Sequence, residues 1–64
     1  MDIISVKLES GEMWHFEVNC IEKALTLYET GWVKIVTDEY NVYFFNNDEI
    51  AYIHAGEREV KENE

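Results

Sequence analysis

Proline is absent from this chain, cysteine occurs once, and Lys and Arg together number five. A lone cysteine, Cys20, excludes an internal disulfide, and with two histidines it falls short of a zinc quartet. Five basic residues stand against fourteen acids, a net charge of −9. Affinity for phosphates depends on Lys and Arg neutralising them, so direct binding to nucleic acid or to an anionic membrane is disfavoured. No apolar run approaches the roughly 20 residues a membrane span requires. The opening MDIISVKLESGE has neither the basic start nor the apolar stretch of a secretion signal. A soluble, cytoplasmic protein is expected (host cytoplasm, if phage-encoded), and an unpaired cysteine fits a reducing compartment.

Catalytic signatures are missing as well. There is no GxSxG, no HExxH, no Walker pattern and no phosphate-cradling glycine loop. NNDE, at 46–49, lacks the alternating oxygen ligands and the glycine of a calcium loop. No catalytic residue, metal or cofactor is expected, and the chain reads as a non-enzyme.

What is present is a foldable pattern. Sixty-four residues make one domain, and 47 % hydrophobic content is that of a folded one. A domain of roughly 60 residues buries only about 60 % of the surface its unfolded chain exposes. Without a disulfide or metal, oligomerisation or partner binding is the expected aid to stability. Ile4, Val6 and Leu8 alternate with Ile3, Ser5 and Lys7; Trp14, Phe16 and Val18 alternate with Met13, His15 and Glu17. With Glu9-Ser10-Gly11-Glu12 between them, these runs predict a β-hairpin. Asn19 followed by Glu22 resembles a capping box, and Ile21, Ala24, Leu25 and Tyr28 form a helical stripe. A helix over about residues 20–30, stopped by Gly31, is therefore expected. Strands follow from Trp32 to Thr37, Val42 to Phe45 and Glu49 to Ala55. The order is ββαβββ: a small α+β domain, its sheet largely antiparallel with one helix on one face and able to curl toward a half-barrel. Residues 1–55 form the domain and 56–64 a charged, flexible tail.

The run Val42-Tyr43-Phe44-Phe45 is apolar at every position, so a strand there is apolar on both faces. One helix covers one face only. Either the sheet curls and buries the second face itself, or that face meets another protein. For each late strand two sets compete, Val42 with Phe44 against Tyr43 with Phe45 among them. Met13, Trp32, Tyr43, Phe45 and Ile53 are taken as the uncovered interface, with Trp32 its exposed anchor.

The same connectivity brings the first hairpin turn, the helix C-terminus and the last hairpin turn to one end. Glu9, Glu12, Glu29, Asp48 and Glu49 gather there as an acidic pole with no Lys or Arg assigned to it. Such a pole suits a protein partner with a basic surface, the carboxylates standing in for phosphates. Solvated acids on turns are the plainer explanation. The alternative function is an obligate homo-oligomer, a homodimer or larger, joined through the aromatic face. Cys20 at a helix start is a known setting for reactive thiols, and His15 beside Glu17 is compatible with general base chemistry, but an inert cysteine and a surface histidine explain both.

DEIAYIHA, residues 48–55, is similar to the opening strand of LytTR-type DNA-binding domains; the likeness spans eight residues at the opposite end of the chain and meets a charge of the wrong sign for DNA. In size, acidity and aromatic content the chain resembles phage-encoded inhibitors of host proteins, DNA mimics among them. That resemblance is one of type and implies an inhibitor docking on a host nucleic-acid-handling or defence protein.

Overall fold

The computed structural model describes residues 1–57. Among them, six strands form two three-stranded antiparallel sheets. β1 (Asp2–Leu8), β2 (Met13–Val18) and β6 (Ile50–Glu57) make the first, ordered β2-β1-β6; β3 (Leu25–Leu27), β4 (Trp32–Val36) and β5 (Val42–Asn46) make the second, ordered β3-β4-β5. One turn of helix, α1 (Ile21–Ala24), leads from the first sheet to the second, and a 3-10 turn, Asn47–Glu49, leads back. The α+β class read from the sequence holds. The single sheet does not: there are two, and neither closes into a barrel.

The alternation in the first hairpin sets its register. Ile4 lies opposite Phe16 and Val6 opposite Trp14, while on the other side of β1 the same two residues meet Ala55 and Ile53. This face turns toward the second sheet, where Val33 and Ile35 of β4 are also buried. Ile4, Val6, Phe16, Val18, Val33 and Ile35, with Ala24 from α1, form one core. Trp14 and Phe16 reach across to Tyr43 and Phe45, with ring centroids 4.9 to 6.2 Å apart. A sheet, where a helix was expected, covers the first sheet.

The expected eleven-residue helix is therefore corrected. Only Ile21–Ala24 is helical; its N-cap is Cys20 rather than Asn19, and no side chain caps it. Leu25, Thr26 and Leu27 pair instead with Ile35, Lys34 and Val33. The sequence Leu-Thr-Leu-Tyr satisfies the strand period as well as the helical one. An isolated helix shorter than about 12 residues is marginal in water, whereas a ladder on β4 supplies hydrogen bonds and burial together. Asn19 donates its backbone N–H to Asp38 Oδ1 at 3.2 Å, so the acid across the chain occupies it. β6 continues through Gly56 to Glu57, into the segment read as tail; residues 58–64 lie outside the described ones.

Three hairpins share one turn. In each, the fourth residue's N–H donates back to the carbonyl of the first, and the first residue's N–H donates to the carbonyl of the fifth: Gly11 to Leu8 (2.9 Å) with Leu8 to Glu12 (2.8 Å), Gly31 to Tyr28 (3.0 Å) with Tyr28 to Trp32 (2.9 Å), Tyr40 to Thr37 (2.9 Å) with Thr37 to Asn41 (2.9 Å). The fourth position is left-handed in all three, with φ of 98° at Gly11, 97° at Gly31 and 67° at Tyr40. Glycine adopts this region freely, but a residue with a Cβ is disfavoured by roughly 1–2 kcal/mol. Gly31 is thus a turn residue of the β3–β4 hairpin rather than a helix stop. Tyr40 carries a strain its two counterparts avoid. Tyr40→Gly is expected to raise the unfolding free energy by up to about 1 kcal/mol, the relieved strain being partly offset by a more flexible unfolded chain. A lower urea midpoint in that variant would show that φ at this turn stores nothing.

Candidate protein-interaction surfaces

Strand parity divides the five residues expected to form an open apolar face. Val33 lies opposite Phe45 and Ile35 opposite Tyr43, so Tyr43 and Phe45 share the buried face of β4 and pack against the core. Ile53, opposite Val6, does the same from β6. These three leave the proposed surface: they point between the sheets. Trp32 and Met13 remain exposed, on different sheets and different outer faces, with Trp32 opposite Asn46 and Met13 opposite Lys7. The structure does not bring the five together.

It assembles another set. Lys34 opposes Phe44 and Val36 opposes Val42, and Tyr28 continues the β3 ladder onto Trp32. The outer face of the second sheet thus carries Tyr28, Trp32, Val36, Val42 and Phe44 around a single Lys34. On β5 and the turn before it, Tyr40, Val42 and Phe44 follow at every second residue and are 86 %, 51 % and 59 % exposed. Val42 with Phe44 was one of two alternatives open to sequence parity. The choice between them turned on which face was covered, and packing on the first sheet covers the one with Tyr43 and Phe45.

Backbone hydrogen bonds join the three turns that carry the five acids assigned to one pole. Glu9 N donates to Glu49 O at 2.8 Å, tying the β1–β2 turn to the 3-10 turn; Asn47 N donates to Gly31 O at 2.7 Å, tying the 3-10 turn to the β3–β4 turn. Glu9, Glu12, Glu29, Asp48 and Glu49 are all exposed on these three turns. None of the five pairs with a described Lys or Arg. Asn46 shapes the 3-10 turn, its Oδ1 accepting from Asp48 N at 2.9 Å. Glu29 does not sit at a helix C-terminus: it is in a hairpin turn. The pole survives this change because β3 runs on in the direction of the expected helix.

Other polar groups are more dispersed. On the outer face of the first sheet, Ser5 lies between His15 and His54, and Ser5 Oγ is 2.9 Å from His15 Nδ1. That spacing suits a hydroxyl and a base. The row lies on an open sheet, however, and the hollow that His15 lines includes neither Ser5 nor His54. Cys20, half-buried, borders an open hollow of about 360 Å³ with Lys23, Asp38 and Tyr40. Among the described residues, no three His, Cys, Asp or Glu side chains gather where they could hold a metal ion, and no helix is long and apolar enough to cross a membrane. The indole Nε1 of Trp14 is buried with no acceptor among the described residues, a cost of about 1–3 kcal/mol carried within the aromatic cluster.

Fold and surfaces together define a small α+β domain of two facing antiparallel sheets, with one acidic end and one aromatic outer face. The chain matches no family model, and comparison with curated proteins and with solved structures finds nothing similar to it.

Proposed function

We propose that this chain is a non-enzymatic protein-binding module that docks its acidic end on a basic surface of a partner. The observation that carries this reading is the convergence of three turns, joined through Glu9–Glu49 and Asn47–Gly31 backbone bonds, with five exposed carboxylates unpaired by described cations. A scattered set of solvated acids needs no such stitching. Charge of one sign held on short, hydrogen-bonded turns favours fast, selective encounter with charge of the other sign. Its most concrete form is a phage or mobile-element inhibitor that occupies the phosphate-binding surface of a host nucleic-acid-handling or defence protein. The test is a tagged pull-down from host lysate, eluted by rising salt and resolved by mass spectrometry. A stoichiometric partner that leaves as salt shortens the Debye length from about 10 Å toward 3 Å supports the proposal. Binding indifferent to salt, or through a surface that lacks Lys and Arg, refutes it.

A second reading rests on a different observation, the exposure of Trp32, Val42 and Phe44 on one sheet face. Under it the chain is a homo-oligomer joined through that face, and its acids serve solubility. Sedimentation would then show a concentration-dependent dimer that Phe44→Asp abolishes.

A further inference from the structure

The second sheet ends at β5, whose far side pairs with no described strand. Proteins guard such edges with charged side chains, proline, bulges or short strands. β5 has none of these. Val-Tyr-Phe-Phe-Asn is uncharged throughout, is regular over five residues, and pairs with β4 in unbroken register. The remaining edges differ. β3 is three residues long, β2 carries Glu17, and β6 shows one large apolar side chain, Tyr52, on its outer row beside His54 and Gly56.

Tyr40 gives an independent reason to look at β5. A tyrosine holds a left-handed turn position that glycine fills in both sister turns, and 86 % of its surface is in solvent. The open hollow that Tyr40 borders with Cys20, Lys23 and Asp38 leaves most of the side chain in water. Tyr40 stands two residues before Val42, at the end of β5 where the exposed apolar side chains Val42 and Phe44 begin. Strain retained at an exposed aromatic is accounted for when that aromatic meets a partner.

We propose that β5 takes an extended segment of a partner protein as a fourth strand of the second sheet, and that this segment is apolar in its middle and carries Lys or Arg at both ends. The chemistry of the ends follows from charge. Asp38 and Glu39 precede β5, and Asp48 and Glu49 follow it, all exposed. A second copy fits less well: antiparallel pairing about Phe44 would bring Asp38 and Glu39 of one copy toward Asp48 and Glu49 of the other, and like charges opposed across strands are destabilising. A basic-ended segment turns the same four acids into attractions. Main-chain hydrogen bonds supply affinity in this mode, and the alternate pockets beside Tyr40, Val42 and Phe44 supply selectivity. The inference rests on the protein-binding reading and adds to it the mode of docking.

The test uses the full chain, amide hydrogen exchange resolved by NMR, and two ten-residue probes, RRVTVTVTRR and EEVTVTVTEE. The basic probe is expected to slow exchange at β5 amides that point away from β4 by at least about tenfold, and the acidic probe to leave them unchanged. Tyr40→Gly should weaken the basic probe several-fold while leaving the thermal midpoint equal or higher, a pairing that a purely structural role for Tyr40 cannot produce. Phe44→Lys should weaken it further without unfolding the domain. Shifts confined to the amides of Glu9, Glu29 and Asp48, with β5 exchange untouched, would overturn edge docking and leave the basic-partner reading standing. No interaction with the basic probe overturns edge docking too. So does equal protection by both probes, and so does β5 protection that rises with protein concentration alone, which would assign the edge to a second copy.

Discussion

Phe45→Ala is expected to lower the unfolding free energy by about 3 kcal/mol, and Phe44→Ala, one residue away, by less than about 1 kcal/mol. Phe45 packs on the core with its ring 5.8 Å from Trp14 and 6.2 Å from Phe16. Truncating a core phenylalanine costs about 3–5 kcal/mol from lost transfer energy and the cavity left behind. Phe45 is only partly buried, so the lower end applies. Phe44 is 59 % exposed and loses little. A domain of this size holds in total about 3–10 kcal/mol, so the first variant stands near the threshold of unfolding and the second does not. Urea denaturation followed by tryptophan fluorescence checks both, since Trp14 sits in the cluster that Phe45 completes. Equal losses at the two positions would mean that β5 does not turn Phe45 to the core and Phe44 to solvent.

Neutralising the pole should act on binding and spare the fold. Glu29→Gln, Asp48→Asn and Glu49→Gln together are expected to weaken the partner complex by about 10–100-fold, chiefly through slower association, and to flatten its salt dependence. Stability should change by less than about 0.5 kcal/mol, because the three side chains are exposed and have no described ion pair to lose. Asn46 is left intact, since its side chain holds the turn that presents Asp48. Surface plasmon resonance against the captured partner at low and high salt separates the rates. Unchanged association in the triple variant would remove the pole from the mechanism. The aromatic face would then be left as the binding surface.

Much of the architecture was legible because it depends on local alternation. The hairpin of β1 and β2 follows from the two-residue period of Ile4, Val6, Trp14, Phe16 and Val18, and the last two strands follow from apolar and aromatic runs on either side of Asn46-Asn47-Asp48. The pole was legible for a related reason: up-and-down connectivity alone decides which turns share an end. Exchanging the rear of the expected helix for β3 leaves that direction unchanged. The helix was misjudged because Ile21, Ala24, Leu25 and Tyr28 fit a period of 3.6 while Leu25 and Leu27 fit a period of 2. At that length, local propensity does not separate them.

The interface residues failed by the same ambiguity, one step later. Tyr43 and Phe45 on one side, Val42 and Phe44 on the other, are equally apolar, and sequence alternation names the two sets without ranking them. Only packing on the first sheet, against Trp14 and Phe16, ranks them. The face bearing Val33 and Ile35 packs on the first sheet, Tyr43 and Phe45 are partly buried with it, and Val42 and Phe44 are left in solvent. The strain at Tyr40 was equally out of reach, since Asp38-Glu39-Tyr40 resembles a turn of any type until its backbone angles are known.

An acidic chain without a catalytic signature, a small α+β domain and three turns sharing one end are all readable from the residues in order. These follow from composition, period and direction, which are properties of the chain taken locally. The tertiary structure alone decided which aromatic face is core and which is surface, and which strand edge is left open. Those depend on contacts between segments distant in the chain: the packing of one sheet on the other, and a β3–β4 ladder formed by residues that would otherwise support a short helix.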